Sequence, residues 1–443
     1  MDRIEKMFYV FLLWIKLIYS YLLIHNNFSI NFLMFIEVEV LIHILTAPIT
    51  ITTIFLLIIL PIYSNKLVWI KEVKSLMNFS CTKNKLQEAI SIAQKAVTGK
   101  SPMPILQGIL ISAKENELIL IGSDIDLSIE TKIEAEVLQE GSIVVDAKIF
   151  GEIIRKLPNS LVEIKTLENN SIEIICEKSK FNLIHMDPEE FPSLPRINEN
   201  IIFSVSQKML KNMIKSTIFA IAQEETRPIL TGILFEVKEN KLNLVALDGY
   251  RLALRSSIIE NEDIINAVIP GKTFNEVSKI LSEEEGDVNI TFTPNHILFN
   301  LGDTKIVSRL LEGEFIKYNS IIPEEFALKV TAKRLELLNC IERASLMAKD
   351  GNTNLIKFDI KEDTLIITSN SQLGRVREEL NIILQGEELQ IAFNSKYLID
   401  VLKIIEEDEI VLEFSSSVSP CVIKSKENNN YTYLVLPVRL LSN

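Results

Sequence analysis

The chain has 443 residues, enough for two to four domains, and its 24% charged and 47% hydrophobic residues are ordinary for a soluble globular protein. The formal net charge is −13, and the four cysteines (Cys81, Cys176, Cys340 and Cys421) are scattered without C-x-x-C spacing. That distribution argues against a zinc site or a disulfide framework and fits a reducing cytosol.

Residues 1–76 differ from the rest, because they are rich in Ile, Leu, Phe, Tyr and Asn and raise the mean hydropathy to +0.23. The apolar runs 7–24 and 41–63 are long enough for one or two membrane spans, since about 20 apolar residues cross a bilayer. The alternative is a spurious or unused upstream start, because AT-rich codons encode these residue types and Met77 begins a segment of different character. We expect the upstream start and keep a membrane anchor as the second interpretation.

An internal repeat organises the remaining chain. Residues 79–86 resemble residues 203–210, and both resemble residues 328–335, at offsets of 124 and 125 residues. Each stretch begins as a short strand with a Ser or Thr suited to a helix N-cap and continues as a helical pattern. This alignment matches Leu335 to Leu86 and Leu210.

Two further landmarks recur in phase with the first. A second helical pattern begins near residues 146, 270 and 394, at offsets of 124 residues. Residues 242–256 (LNLVALDGYRLALRS) predict a hairpin, because Asp248-Gly249 separates two strand patterns and Gly tolerates positive φ. Asp124 lies 124 residues before Asp248, so this Asp is expected to be structural.

Short alternating segments split by polar turns fill the space between the helical patterns. Each copy therefore reads as two rounds of strand, helix and antiparallel strands, an α+β fold. Pro and polar residues cluster near 192–200 and 322–326, which predicts domains at 77–196, 197–323 and 324–443 after the extension 1–76.

Positive charge concentrates in the six helical patterns. The formal charges of these six patterns sum to +11, whereas residues 77–443 together carry −14. The part of residues 77–443 outside the helical patterns therefore carries −25. A solvated helix face is the ordinary explanation; the functional one is a basic lining for a duplex backbone inside an acidic protein. The candidate DNA-facing residues on these helices are Lys85, Lys95, Lys148, Arg155, Lys208, Lys211, Lys215, Lys272, Lys279, Lys333, Arg334, Lys396 and Lys403.

Signatures of catalysis are missing from the sequence. There is no phosphate-binding glycine loop, H-E-x-x-H or G-x-S-x-G motif. Asp124 and Asp126 could be imagined as metal ligands, but the sister hairpins lack the pair. We therefore expect no catalytic residues, no metal and no cofactor.

The chain resembles a known family, the bacterial sliding clamps, or beta subunits of DNA polymerase III. The resemblance extends from Met77 to Leu440 and is strongest in residues 227–235 (RPILTGILF), 246–252 (ALDGYRL), 309–315 (RLLEGEF) and 433–440 (YLVLPVRL). It implies three clamp domains that form half of a closed ring, a head-to-tail homodimer around duplex DNA without sequence preference. Such clamps transfer no nucleotide, although they are catalogued with the polymerase.

The resemblance also implies partners and sites. A pocket for short peptides of the polymerase, the clamp loader and repair proteins would be formed by Leu230, Leu247, Gly249, Tyr250, Arg251, Leu252, Pro323, Leu436, Pro437, Val438 and Arg439. Leu346 and Met347 would pack against the neighbouring protomer near Phe181, and Lys100 would contact DNA. The family often has His at Tyr250 and Met beside Pro437.

The implied location is the cytoplasm, in association with the nucleoid. Two other functions remain to be weighed. A membrane-anchored adaptor would use residues 1–76 to hold a peptide-binding module at the bilayer. A nucleic-acid enzyme is disfavoured, because acid, base and metal clusters are missing from the sequence.

Overall fold

A computed structural model describes residues 76–99, 101–195, 197, 203–224, 226–350, 354–426 and 430–439. The interpretations of the N-terminal extension, apart from Leu76, and the role of Lys100 lie outside these residues. In the described part, no helix is both long enough and apolar enough to span a bilayer.

Six α-helices occur in the described residues, at the six predicted places. They are α1 Lys83–Ala93, α2 Ala147–Lys156, α3 Gln207–Lys215, α4 Gly271–Ile280, α5 Arg334–Asp350 and α6 Ser395–Ile404. Side-chain caps begin several of them: Asp146 accepts a hydrogen bond from the backbone N–H of Ile149 at 2.8 Å, and Asn394 accepts one from Lys396 at 3.0 Å.

The strands fall into three groups that alternate with these helices. The first repeat has β1 Asn78–Thr82, β2 Gly108–Lys114, β3 Glu117–Ser123, β4 Leu127–Glu134, β5 Glu136–Gln139, β6 Gly141–Asp146, β7 Leu161–Leu167, β8 Ser171–Cys176 and β9 Ser179–Met186. The second has β10 Phe203–Ser206, β11 Gly232–Lys238, β12 Lys241–Leu247, β13 Arg251–Ile258, β14 Ile265–Pro270, β15 Asp287–Phe292, β16 His296–Asn300 and β17 Thr304–Arg309. The third has β18 Leu328–Lys333, β19 Leu355–Lys361, β20 Thr364–Asn370, β21 Arg375–Asn381, β22 Ile383–Gln385, β23 Leu389–Asn394, β24 Glu409–Phe414, β25 Cys421–Ser425 and β26 Tyr431–Val435.

The sheets continue from one repeat into the next. Strand β17 of the second repeat pairs antiparallel with β4 of the first, and β26 of the third pairs antiparallel with β13 of the second. All named pairings between strands are antiparallel, as an α+β fold with segregated helices requires. The repeats are therefore joined by backbone hydrogen bonds as well as by the chain.

Alternation along each strand separates two apolar layers. On β12, Leu242, Leu244 and Ala246 face the main core, whereas Val245 and Leu247 face a second cluster on the opposite side. The chain between β17 and β18 covers this second cluster with Phe315, Tyr318 and neighbouring apolar residues. Both faces of this sheet are therefore buried near the junction of the second and third repeats.

The structure corrects the alignment of the third repeat. Leu335, matched to Leu210 by the sequence pattern, is 56% exposed, and Leu337 is the buried leucine at 1%. Strand β18 has six residues whereas β10 has four, so the following helix begins two residues later than the alignment assumed. Sequence similarity in this short strand matched the wrong apolar positions.

Candidate functional site

The predicted hairpin forms at Asp248-Gly249. The Asp248 carboxylate accepts backbone N–H groups of Tyr250 and Arg251 at 2.9 and 3.1 Å, and the Asp248 N–H donates to the Arg251 carbonyl at 3.3 Å. Gly249 has φ +92°, a left-handed conformation that costs a residue with a Cβ. This turn presents Tyr250 to solvent with 61% of its surface exposed.

A small open cavity lies where this turn meets the end of the chain. Its walls include six of the residues singled out from the sequence, namely Leu247, Gly249, Tyr250, Arg251, Leu252 and Leu436. Ile321 and Leu434 also line it and were not expected. The walls are mainly aliphatic, so the cavity suits an apolar side chain of a ligand.

Five expected residues do not line this cavity. Leu230 is 3% exposed and packs in the apolar cluster beneath it. The Leu436 N–H donates to the Tyr250 carbonyl at 2.8 Å, and the chain then leaves the turn, because the Val438 N–H donates to the Ala392 carbonyl at 2.8 Å. Pro437, Val438 and Arg439 lie along this departing chain. Pro323 lies in the segment between β17 and β18.

Arg251 is largely buried within the wall of the cavity. Its guanidinium is 7% exposed and donates to the Asp248 carboxylate at 2.9 Å, the Asp400 carboxylate at 2.6 Å and the Phe219 carbonyl at 2.5 Å. It also lies over the Tyr397 ring, 4.6 Å from the centroid. This side chain therefore joins the second and third repeats at the cavity.

Tyr397 extends the site beyond the residues expected from sequence. Its ring stacks on Tyr250 at a centroid distance of 6.1 Å and an interplanar angle of 21°. Burial, aided by the nearby Asp248 carboxylate, raises the pKa of Tyr397. Tyr397 and Asp400 were missed because they lie about 150 residues from the hairpin; their position on α6 beside Lys396 was the only signal.

The equivalent junction between the first and second repeats is polar. The Arg309 N–H donates to the Asp126 carbonyl at 2.9 Å, just as Leu436 does to Tyr250. Ser123 and Ser128 stand at the positions of Leu247 and Leu252, and their hydroxyls hydrogen-bond to each other at 2.8 Å. The two leucines that line the cavity therefore have polar counterparts at the other junction.

The two carboxylates weighed as metal ligands are held by cations instead. Asp124 pairs with Lys272, and Asp126 lies 3.7 Å from the Arg309 guanidinium. Within the described ranges, no three His, Cys, Asp or Glu side chains come together as a metal site. The four cysteines are buried and unpaired, and burial raises the pKa of the Cys81 thiol to about 12, which disfavours a reactive thiolate.

Most candidate DNA-facing side chains are exposed on the helices or beside them. Lys95 and Lys211 are half-buried, as is Arg334, which donates to the Glu407 and Leu402 carbonyls at 3.0 and 3.1 Å. Several of the others pair with carboxylates of the same chain: Lys85 with Glu134, Lys215 with Glu283, Lys272 with Asp124, Lys279 with Glu276, Lys333 with Glu336 and Lys403 with Glu342.

The residues expected at a protomer interface lie on exposed surface. Phe181 on β9 is 40% exposed, and Leu346 on α5 is 61% exposed with Met347 half-buried beside it. Their exposure leaves these side chains accessible to a second protomer, although single exposed apolar residues also occur elsewhere on this surface.

Family models match nearly all of the described chain. The DNA polymerase III beta subunit N-terminal domain matches residues 77–195, the central domain residues 204–317 and the C-terminal domain residues 319–439. The curated beta sliding clamps of Staphylococcus epidermidis and Staphylococcus aureus are each 37% identical over 375 residues, covering 82% of this chain and 100% of each relative.

Solved structures agree with the family models. The sliding clamp of Bacillus subtilis is 37% identical with a TM-score of 0.81, covering 83% of this chain and 100% of that one. A beta subunit of Eubacterium rectale is 40% identical with a TM-score of 0.79, covering 82% and 99%. None of these relatives supports the membrane-anchored adaptor. The chain belongs to the DNA polymerase III beta subunit family, the beta sliding clamps.

Proposed function

We propose that this protein is a sliding clamp, a ring of two copies that encircles duplex DNA and tethers the replicative polymerase during processive synthesis. Sliding clamps are non-catalytic processivity factors, so the protein acts by topology and docking. The three clamp domains would be residues 77–196, 197–323 and 324–443.

The observation that carries the ring is the equivalence of the two internal sheet junctions. The same turn hydrogen bond joins Asp124 to Leu127, Asp248 to Arg251 and Ser371 to Gly374, and thus aligns β4, β13 and β21. Two residues after each turn, Ile129 pairs with Ile306 and Ala253 pairs with Tyr433. Both junctions therefore use one register.

The two strands that a third junction of this kind would join lie in different repeats, β21 in the third and β9 in the first. Strand β21 pairs only with β20, and residues 179–184 of β9 pair only with β8 among the described strands. By the internal register, Val376 of one copy would face Phe181 of another. Ile129, Ile306, Ala253 and Tyr433 are buried at the internal junctions, whereas Phe181 is 40% exposed. A second copy placed by the same rule would bury it.

The residue set expected for peptide binding supports the docking role. The cavity beside Tyr250 offers aliphatic walls, an exposed ring and open access, which suit an apolar anchor of a linear peptide. The proposed partners are the polymerase catalytic subunit, the clamp loader and repair proteins carrying such peptides. On DNA, the ring would be associated with the nucleoid.

A loading assay tests the proposal. The protein is loaded by a clamp loader and ATP onto nicked circular DNA, separated from free protein by gel filtration, and the DNA is then linearised. A topological clamp co-elutes with circular DNA and is lost from linear DNA as it slides off the ends. Failure to remain on circular DNA, or equal retention on both forms, contradicts the clamp.

The docking site needs a separate variant that leaves the ring intact. Leu436→Asp places a charge in the aliphatic wall, whereas the matched control Val418→Asp changes a residue that is 66% exposed elsewhere in the third repeat. We expect only Leu436→Asp to lose stimulation of the polymerase while both variants remain on circular DNA. Equal stimulation by both would remove the cavity from the docking site.

A further inference from the structure

Basic side chains are not equally available on the three helix pairs. In the second repeat, Lys211 and Lys215 share Glu283, Lys279 pairs with Glu276 at 2.7 Å, and Lys272 pairs with Asp124. Among the helix lysines of that repeat in the described residues, Lys208 has no such partner. A phosphate approaching this surface must displace a carboxylate from most of the lysines it meets.

The first repeat offers a different surface. In the described part of the chain, its helices and the short turn after α1 carry five basic side chains without an ion pair: Lys83, Lys95, Lys148, Arg155 and Lys156. Lys148 and Arg155 lie on one side of α2, seven residues apart, with Glu152 between them but not within ion-pair distance. Lys272 and Lys279 occupy the same two places on α4 and are both paired.

Loops beside the helices reinforce the difference. The loop after the second helix of each repeat approaches the N-terminus of the first helix through an equivalent hydrogen bond: Lys83 N–H to Ser160, Gln207 N–H to Gly286 and Arg334 N–H to Asp408. In the second and third repeats this loop is acidic, with residues 283–285 and 406–408. In the first repeat it is uncharged, with residues 157–160.

Because phosphates are attracted to unopposed cations and repelled by carboxylates, these features favour one part of the ring. We propose that duplex DNA is held against the helices of the first repeat, with Lys148 and Arg155 as principal phosphate contacts. The helices of the second repeat contribute little. This inference rests on the proposed function and concerns where in the ring the duplex lies.

The test compares two charge-matched double variants of the full chain. Lys148→Gln with Arg155→Gln removes two unpaired cations, and Lys215→Gln with Lys279→Gln removes two exposed lysines that are paired. The affinity of the dimer for a short labelled linear duplex, which can thread the ring, is measured by fluorescence anisotropy from about 20 to 200 mM NaCl.

Each lost phosphate contact reduces the magnitude of the negative slope of log affinity against log salt by about 0.9. We expect a decrease of about 1 to 2 for the α2 pair and less than half of that for the second-repeat pair. Equal decreases would overturn the inference, because net charge alone would then explain binding. Replacing Glu283, Glu284 and Glu285 with Gln should raise affinity, and an unchanged affinity would contradict the role of the acidic loop.

Loading on circular DNA separates the two proposals. Retention of the unmodified ring together with equal slopes would refute only the preference for the first repeat. Loss of retention by the unmodified protein would refute the clamp itself.

Discussion

Arg251 provides the sharpest test of how the cavity is built. Replacing it with Ala removes a guanidinium that is 7% exposed and has three hydrogen-bond acceptors, while Asp248, itself 13% exposed, stays buried with an uncompensated charge. Breaking a buried pair by deleting one partner costs about 3–5 kcal/mol. We expect a loss near the lower end of this range, because Asp248 keeps two backbone N–H donors and Asp400 is partly solvated.

The assay is urea unfolding monitored by far-UV circular dichroism, with Arg255→Ala as the matched control. Arg255 lies on the same strand but has a neutral partner, Asn430 at 3.2 Å, and a ring contact with Tyr431 at 5.8 Å. Its removal should cost about 1 kcal/mol. If Arg251→Ala is no more destabilising than Arg255→Ala, the guanidinium does not clamp the two repeats together.

Three further predictions follow from conformation, titration and register. Gly249→Ala should destabilise the protein by about 1–2 kcal/mol through backbone strain at φ +92°, since the added Cβ would meet no atom within 4 Å. Ile125→Gly, at φ +85°, should relieve the same strain and stabilise the protein in thermal melts. Burial opposes ionisation of Glu413, but Lys329 and Lys424 outweigh it and lower its pKa. Glu413→Gln should therefore be less stable at neutral pH than the unmodified protein. In acid-unfolding curves the two stabilities should converge as the pH falls through that lowered pKa. Val376→Asp should yield monomers in sedimentation, since it would face Phe181 of the partner; an intact dimer would exclude this register.

Local patterns predicted much of the fold. The helical positions repeat because each has an amphipathic period, and three of the helices begin at a side-chain cap, Asp146, Ser206 or Asn394. The hairpin at Asp248 forms because Gly249 permits its φ. The exception is instructive: Leu335 and Leu337 are equally apolar, and only the two extra residues of β18 decide which one is buried. Strand length is set by pairing with β24, which a short sequence match does not encode.

The candidate site was predicted less completely. Residues next to the turn were found because the family pattern is contiguous there, but Phe219, Tyr397 and Asp400 enter only through the Arg251 side chain. A buried guanidinium collects partners from distant parts of the chain, and sequence spacing carries no record of that geometry. The role of Arg251 as an internal clamp therefore required coordinates.

The equivalence of the sheet junctions has a consequence for assembly by mass action. Two junctions lie within each chain, and in the proposed ring of two copies two further contacts, each between β21 and β9, would join the protomers. Once the first contact forms, the second becomes intramolecular and is governed by an effective concentration instead of the bulk concentration of protein. Such a ring resists dilution better than one junction would, and rupture of a single junction opens a gap while the other keeps both protomers together.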